Sequence, residues 1–143
     1  MTNEVDHTMT RRLLLQSAAG LLLLAGNAGA QQNAAARRPI FTRELPNISL
    51  NGWTVTAVEV PYGPGESSPS HRHPGITIAY VLEGDIRSKV GDDPERTYKT
   101  GEMFLETPGQ VHAVSGNAST TRPAKLLAIL LAQTGVPLTT PTA

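Results

Sequence analysis

The 143-residue sequence contains no cysteine, which excludes disulfide bonds, thiolate nucleophiles and zinc sites built from cysteines. It also lacks an excess of charge of either sign, because 12 lysines and arginines balance 12 aspartates and glutamates. We therefore predict no nucleic-acid partner, since nucleic-acid-binding domains carry basic surfaces. No internal repeat of solenoid period is present. The length allows one ordinary domain with a short appendage.

The first 30 residues are predicted to be a signal peptide rather than part of the fold. Arg11 and Arg12 directly precede an apolar segment, residues 13–25, that is shorter than the roughly 20 residues needed to span a bilayer. Small residues offer a cleavage site after Ala30. This arrangement resembles a twin-arginine export signal, and the alternatives are an ordinary secretory signal or an uncleaved anchor. We expect a periplasmic or secreted protein with no stable membrane anchor after cleavage.

The rest of the sequence is predicted to comprise a linker, a β-barrel domain and a tail. Residues 31–39 show no apolar period and are predicted to be a linker. Residues 40–134 contain short apolar runs separated by turns rich in glycine and proline, a pattern that favours many strands over long helices. Residues 135–143 are predicted to be a C-terminal tail.

Eight or nine short strands are predicted in the domain, so the predicted fold class is all-β. Residues 61–69 are predicted to be a loop because they contain three prolines and two glycines. Residues 124–132 are rich in good helix formers, and a helix is the alternative there. We expect a strand because the neighbouring segments all have strand character. The predicted strands are residues 40–45, 53–60, 76–82, 86–90, 96–99, 103–106, 111–114 and 124–132.

Three of the four histidines lie in two short segments, which we interpret as one metal site. His71 and His73 are two residues apart, so on an extended chain their side chains point to the same face. His112 lies on another predicted strand and must reach them by folding. Three neutral imidazoles suit a divalent transition metal, namely iron, manganese, nickel, copper or zinc. The alternatives are exposed loop histidines for the pair and a half-buried structural histidine for His112.

Two sets of residues surround these histidines. The first comprises residues 61–65, His71-Arg72-His73-Pro74-Gly75 and residues 80–84, and the second comprises residues 101–102, residues 108–112 and Asn117. They resemble the two sequence motifs of the cupin superfamily, and the resemblance covers residues 38–134. It implies a small single-domain cupin of the type-2 conserved-barrel kind, with a double-stranded β-helix (jelly-roll-like) barrel. It also implies a metal held by His71, His73 and His112, a small-molecule ligand or substrate, and a homodimer.

The first motif departs from the family pattern at Thr77, where the family usually has a glutamate four residues after the second histidine. A hydroxyl is a poor ligand for such a metal. Thr77 shares strand parity with His73, so we expect its hydroxyl to face the site and to hydrogen-bond a water or substrate there. Without that carboxylate a three-histidine centre leaves the metal its full charge, which favours Lewis acidity and anionic ligands.

Glu106 is the acidic residue of greatest interest for the site. It precedes the turn at residues 108–109 and could face the barrel mouth or solvent, because strand parity cannot be followed across a turn. At the mouth it would be the natural proton shuttle. We expect a metal-dependent oxygenase, lyase or isomerase that acts on a small oxygenated molecule. The alternatives are a non-catalytic binding protein that uses the same pocket and a metal-free barrel.

Overall fold

Ten strands and no helix occur in residues 38–142, the part of the chain that the structure, a computed structural model, describes. The all-β prediction is confirmed. In the same residues no helix is long and apolar enough to cross a membrane. The predicted signal peptide, its cleavage site and nearly all of the predicted linker lie outside the described residues.

The ten strands form two antiparallel sheets. In chain order they are β1 (Trp53–Tyr62), β2 (Ser67–Ser68), β3 (His71–Arg72), β4 (Ile76–Glu83), β5 (Asp85–Val90), β6 (Arg96–Lys99), β7 (Met103–Glu106), β8 (Val111–Asn117), β9 (Ala124–Gln133) and β10 (Thr140–Pro141). The four-stranded sheet has the order β1-β9-β4-β7. The six-stranded sheet has the order β10-β3-β8-β5-β6, and β2 pairs with β8 beside this path.

Strand β9 settles the choice between helix and strand at residues 124–132. It pairs antiparallel with β1 on one side and with β4 on the other. Its residues alternate between buried and half-buried positions, the period of two that a sheet imposes. The helix alternative is wrong here because the backbone groups of β9 bond to both neighbouring strands.

The prediction of a strand at residues 40–45 is wrong. The structure shows no regular element there, and the side chains of Ile40 and Leu45 are 72% and 52% exposed. Apolar residues alone do not make a strand, because the backbone also needs a neighbouring strand to pair with.

The predicted loop at residues 61–69 is shorter than expected, since its ends belong to β1 and β2. The predicted tail contains β10, which pairs with β3.

The core lies between the two sheets, where inward-facing side chains meet. Its buried members are Tyr62, Ala79, Val81, Ile86, Val90, Phe104, Ala124 and Leu126. The same inner surface carries two buried polar residues, Thr77 on β4 and Glu106 on β7, which are direct cross-strand partners. Burying a polar group costs free energy unless it has a partner, so we expect a polar partner or a bound group beside these two residues.

Two glycines shape the segments around the histidines. A Cβ at Gly75 would clash with the carbonyl oxygen of Leu131 on β9, so only glycine lets the chain pass this close on its way into β4. Gly109 has a φ of 76°, which a glycine adopts without strain and which turns the chain into β8. These glycines therefore fix how the chain leaves His73 and how it enters the strand that carries His112.

Candidate metal centre

The three predicted ligands meet at one end of the space between the sheets. His71 on β3 and His112 on β8 are direct cross-strand partners, and His73 lies one residue beyond β3. The imidazole of His71 has its ring centroid 4.9 Å from that of His73 and 5.1 Å from that of His112. One ring nitrogen of each histidine lies within 4.8 Å of those of the other two. The structure thus brings together the three histidines that the spacing suggested.

Two of the imidazoles are held by backbone carbonyls on their far side. Nδ1 of His71 lies 2.7 Å from the carbonyl oxygen of Pro69. Nδ1 of His73 lies 2.7 Å from the carbonyl oxygen of Leu138. Because a carbonyl oxygen only accepts, each Nδ1 donates its proton, and Nε2 keeps a free lone pair. This is the arrangement typical of histidines that ligate a metal.

His112 is held by a side chain instead. Its Nε2 lies 2.9 Å from Oγ of Ser88 on β5, and both residues are buried. The other ring nitrogen, Nδ1, is directed toward the centre. When Nε2 donates to Ser88, Nδ1 keeps its lone pair, and the three nitrogens available to an ion are Nε2 of His71, Nε2 of His73 and Nδ1 of His112.

The environment of His71 favours the neutral imidazole that a metal needs. Burial lowers the pKa of His71 below its ordinary value, and the nearby imidazoles of His112 and His73 act in the same direction. The hydrogen bond to Pro69 and the carboxylate of Glu106 oppose this effect without outweighing it. His71 is only half-buried, so it forms the side of the centre nearest to solvent.

The structure also places Glu106 at the centre and answers the question that its sequence position left open. Its carboxylate is 3% exposed, and Oε2 lies 3.1 Å from Nδ1 of His112 and 3.7 Å from Nε2 of His73. Thr77 is 1% exposed and lies opposite Glu106 in the neighbouring strand. Glu106 lines the cavity described below, whereas Thr77 does not. Thr77 thus lies on the same inner face as Glu106, but it is buried behind the cavity wall rather than lining it.

Unsatisfied polar atoms at this centre test whether a metal fits it. Among the described residues, three buried side-chain atoms have no hydrogen-bond partner: Oγ1 of Thr77, Oε2 of Glu106 and Nδ1 of His112. Leaving a buried polar atom unpaired costs about 1–3 kcal/mol. A cation beside Glu106 and His112 would interact with two of the three atoms. The donor set, imidazole nitrogens with a carboxylate close by, suits a divalent transition metal.

A cavity of about 510 Å³ opens from the histidines. Apolar side chains of β1 and β9 form much of its wall, namely Val58, Val60, Leu126, Ala128 and Leu130. Hydroxyls interrupt this apolar surface, and three of them are linked, with Tyr62 Oη 2.8 Å from Oγ of both Ser68 and Ser115. The C-terminal residues Leu138, Thr139 and Pro141 contribute a further side. The volume is that of a small-molecule site.

The sequence analysis missed the three supports of the centre, namely the carbonyls of Pro69 and Leu138 and the hydroxyl of Ser88. Ser88 lies between Ile86 and Val90, and all three occupy buried positions of β5. A serine at a position where strand parity requires an apolar side chain was a usable signal. The sequence carried no signal for Leu138, because this residue acts through its backbone carbonyl and the following strand β10 contains only two residues.

Comparisons with known proteins agree with the observed fold. The family model described as Cupin domain matches residues 58–130. The chain is similar to the crystal structure of the DMSP lyase DddQ from Ruegeria pomeroyi DSS-3, at 23% identity and a TM-score of 0.54. This alignment covers 62% of this chain and 43% of that chain. A second similar structure comes from work on the DMSP lyases RdDddP and RnDddQII, at 17% identity and a TM-score of 0.54.

That second alignment covers 62% of this chain and 44% of the other chain, so this chain spans less than half the length of either lyase structure. A variant of salicylate 1,2-dioxygenase from Pseudoaminobacter salicylatoxidans matches at 26% identity and a TM-score of 0.48. That match covers 54% of this chain and 22% of the dioxygenase chain. No curated protein sequence matches this chain significantly. At these identities the similarity to solved structures shows the shared fold alone.

Proposed function

This chain belongs to the cupin family, and we propose that it is a metal-dependent enzyme that acts on a small oxygenated molecule. The observation that carries the proposal is the convergence of three imidazole nitrogens within 4.8 Å beside a cavity of small-molecule size. A binding protein needs only the cavity. A catalytic metal needs ligand nitrogens whose rings are held by second hydrogen bonds and whose lone pairs point into a cavity open to substrate, and these histidines have that arrangement.

His71, His73 and His112 would hold the ion, which would supply Lewis acidity to an oxygen of the substrate. The protein itself would bind and orient that substrate. The apolar walls of β1 and β9 would exclude water and contact its carbon skeleton. The linked hydroxyls of Tyr62, Ser68 and Ser115 would hydrogen-bond a polar group away from the ion. We therefore infer a substrate with one metal-directed oxygen group, an apolar body and a second polar group.

A turnover assay with metal-loaded protein tests this proposal. Iron-, manganese-, nickel-, copper- and zinc-loaded samples are incubated with a panel of diketones, thiols and hydroxy acids. Oxygen consumption and mass spectrometry then report the loss of substrate. We expect turnover of at least one class with one metal, and its loss in the His112→Ala variant. Binding without turnover in every sample would instead identify a ligand-binding protein, and turnover by His112→Ala would remove that residue from the site.

We further propose that the protein is exported through the twin-arginine route and is cleaved after Ala30. Support comes from the paired arginines before a short apolar segment and from the small residues before the cleavage site. Export of a folded chain would allow the metal to be loaded before translocation.

We also propose that the protein forms a homodimer through the outer face of the four-stranded sheet. One row across this face joins Ala57, Ile129, Ile78 and Leu105, and Val55 lies in the neighbouring row, 65% exposed. Soluble monomers rarely expose a contiguous apolar face. The face points away from the cavity, so a second copy packed against it by a two-fold axis would leave the site accessible.

A further inference from the structure

We propose that Glu106 is a fourth ligand of the metal, so that the centre has three imidazoles and one carboxylate, which strand β7 supplies. The inference deepens the proposed function and rests on its three-histidine site. It assigns a direct role to a residue whose sequence position indicated no more than a proton shuttle.

The strand register explains how Glu106 can take this place. Thr77 and Glu106 are direct partners in the antiparallel pair of β4 and β7. Directly opposed residues have Cα atoms about 4.5–5.5 Å apart and side chains on the same face of the sheet. A carboxylate on Glu106 therefore reaches nearly the same space as a carboxylate at position 77 would reach. The threonine that departs from the family motif faces the glutamate that compensates for it.

The distances agree with a shared ion. Ligand atoms that bind one ion at about 2.1 Å lie about 3.0–3.4 Å apart in octahedral or tetrahedral coordination. Oε2 of Glu106 is 3.1 Å from Nδ1 of His112 and 3.7 Å from Nε2 of His73. The group of ligand atoms that all lie within 4.8 Å of one another comprises the three histidines alone, so the carboxylate lies beside His112 and His73 and farther from His71. The hydrogen bond to Leu138 leaves Nε2 of His73 free, and Nδ1 of His112 is free when Nε2 of that ring donates to Ser88. The carboxylate thus faces the lone pairs that a metal would bind.

No other group in the described residues satisfies this oxygen. The carboxylate is 3% exposed, and no lysine or arginine nitrogen of residues 38–142 lies within 4 Å of it. Nδ1 of His112 is 3.1 Å away, yet both atoms lack a hydrogen-bond partner. With Nε2 of His112 donating to Ser88, Nδ1 and Oε2 are two buried acceptors that repel each other, and an ion between them removes the repulsion.

A fourth ligand changes the chemistry expected of the centre. The sequence suggested a histidine-only site in which the metal keeps its full charge. A carboxylate lowers the net charge of the centre by one and adds a hard oxygen donor. Oxygen donors favour manganese and iron over copper, relative to an all-imidazole site. Fewer coordination positions remain open to the substrate.

The Glu106→Gln variant tests the assignment. Manganese(II) affinity is measured by calorimetry and by electron paramagnetic resonance of the free ion, and Glu95→Gln, a change at an exposed carboxylate, is the matched control. We expect at least about 100-fold weaker manganese binding, beyond the roughly 10–100-fold typical of an indirect support. We also expect a smaller loss for copper(II). An affinity within about threefold of the parent would overturn the assignment.

Two further variants guard against loss of folding. Glu106→Asp keeps the charge but shortens the side chain, and we expect it to weaken manganese binding more than about tenfold. Unchanged affinity would overturn the assignment.

The double variant Thr77→Glu with Glu106→Thr moves the carboxylate from β7 to β4. It should bind manganese at least about tenfold more tightly than Glu106→Thr alone, and a folded double variant without this gain would contradict the register argument.

The histidine variant separates this inference from the proposed function. Loss of metal in His112→Ala with full retention in Glu106→Gln would leave the three-histidine site standing and remove Glu106 from it. Retention of metal in both variants would overturn the site as a whole. Loss in both, with a cooperative thermal unfolding transition preserved, is the expected result.

Discussion

At the scale of single residues, the orientation of each imidazole is fixed by a group behind it. Backbone carbonyls hold His71 and His73, and the hydroxyl of Ser88 holds His112. Such second partners select the ring tautomer and limit rotation, which raises metal affinity. Ser88 is the only one of the three supports that a side-chain substitution can remove, so it gives a clean test.

The Ser88→Ala variant should lower metal affinity about 10–100-fold, because His112 loses the partner that orients its ring. Isothermal titration of the metal-free protein measures the change, with Ser49→Ala at an exposed position as the control. Affinity equal to that of the control would show that Ser88 does not support the site.

The sequence predicted the three histidines but not the role of Glu106. His71 and His73 share a local parity that spacing alone reveals. Glu106 owes its position to the register between β4 and β7, two strands that are distant in sequence and pair only in the folded chain. The register cannot be obtained from local pattern, and so the sequence could place Glu106 only near the barrel mouth or in solvent.

At the scale of elements, the short strand β10 connects the C-terminal residues to the metal centre. It pairs with β3, and the preceding Leu138 accepts the hydrogen bond from His73. Two residues of strand carry no periodic pattern, so the sequence analysis assigned the segment to a tail. Longer strands such as β1 and β9 were predicted because their runs of apolar and β-branched residues are long enough to indicate a strand.

Truncation after Pro137 should weaken metal binding about 10–100-fold while the barrel still unfolds cooperatively, because His73 loses its carbonyl partner. Leu138→Ala is the matched control, since it removes the side chain but keeps the carbonyl. Calorimetric titration and circular dichroism measure both effects. Equal affinity of the truncated and control proteins would refute a supporting role for β10.

A substitution at Gly75 tests the close contact between this residue and strand β9. Gly75→Ala should lower the free energy of unfolding by about 3 kcal/mol, because the new methyl group meets the backbone oxygen of Leu131, which cannot move without breaking the sheet. Gly63→Ala is the control, since its methyl group would meet only the flexible end of Glu66. Similar urea midpoints for the two variants would contradict the contact.

At the scale of the whole molecule, the two faces of the four-stranded sheet have different roles. The inner face carries the cavity wall and Glu106, and the outer face carries an apolar row beside the ion pair of Glu59 and Lys125. The proposed homodimer would cover this apolar row. Assembly and catalysis would then use opposite sides of the same strands.

The Val55→Glu variant should convert the proposed dimer to a monomer, because it places a charge at the exposed apolar face of β1. Light scattering coupled to size-exclusion chromatography measures the mass. Thr97→Glu, at an exposed position of β6 in the other sheet, should leave the mass unchanged. A monomeric parent protein would contradict the proposal directly.

The export proposal concerns the precursor, whose domain would fold and take up its metal before translocation. Replacing Arg11 and Arg12 by lysine should leave the precursor in the cytoplasm, because twin-arginine signals require the arginine pair. Fractionation followed by immunoblotting reports precursor and mature forms. Mature protein outside the cytoplasm in this variant would indicate another route.

The central claim is that the three histidines hold a metal, and metal analysis of the protein purified without added metal tests it most directly. We predict close to one transition-metal ion per chain. If purification strips the ion, readdition should raise the thermal midpoint, because a ligand that binds only the folded state stabilises it. Less than about a tenth of an equivalent, together with no thermal shift on adding any of the five metals, would contradict the account.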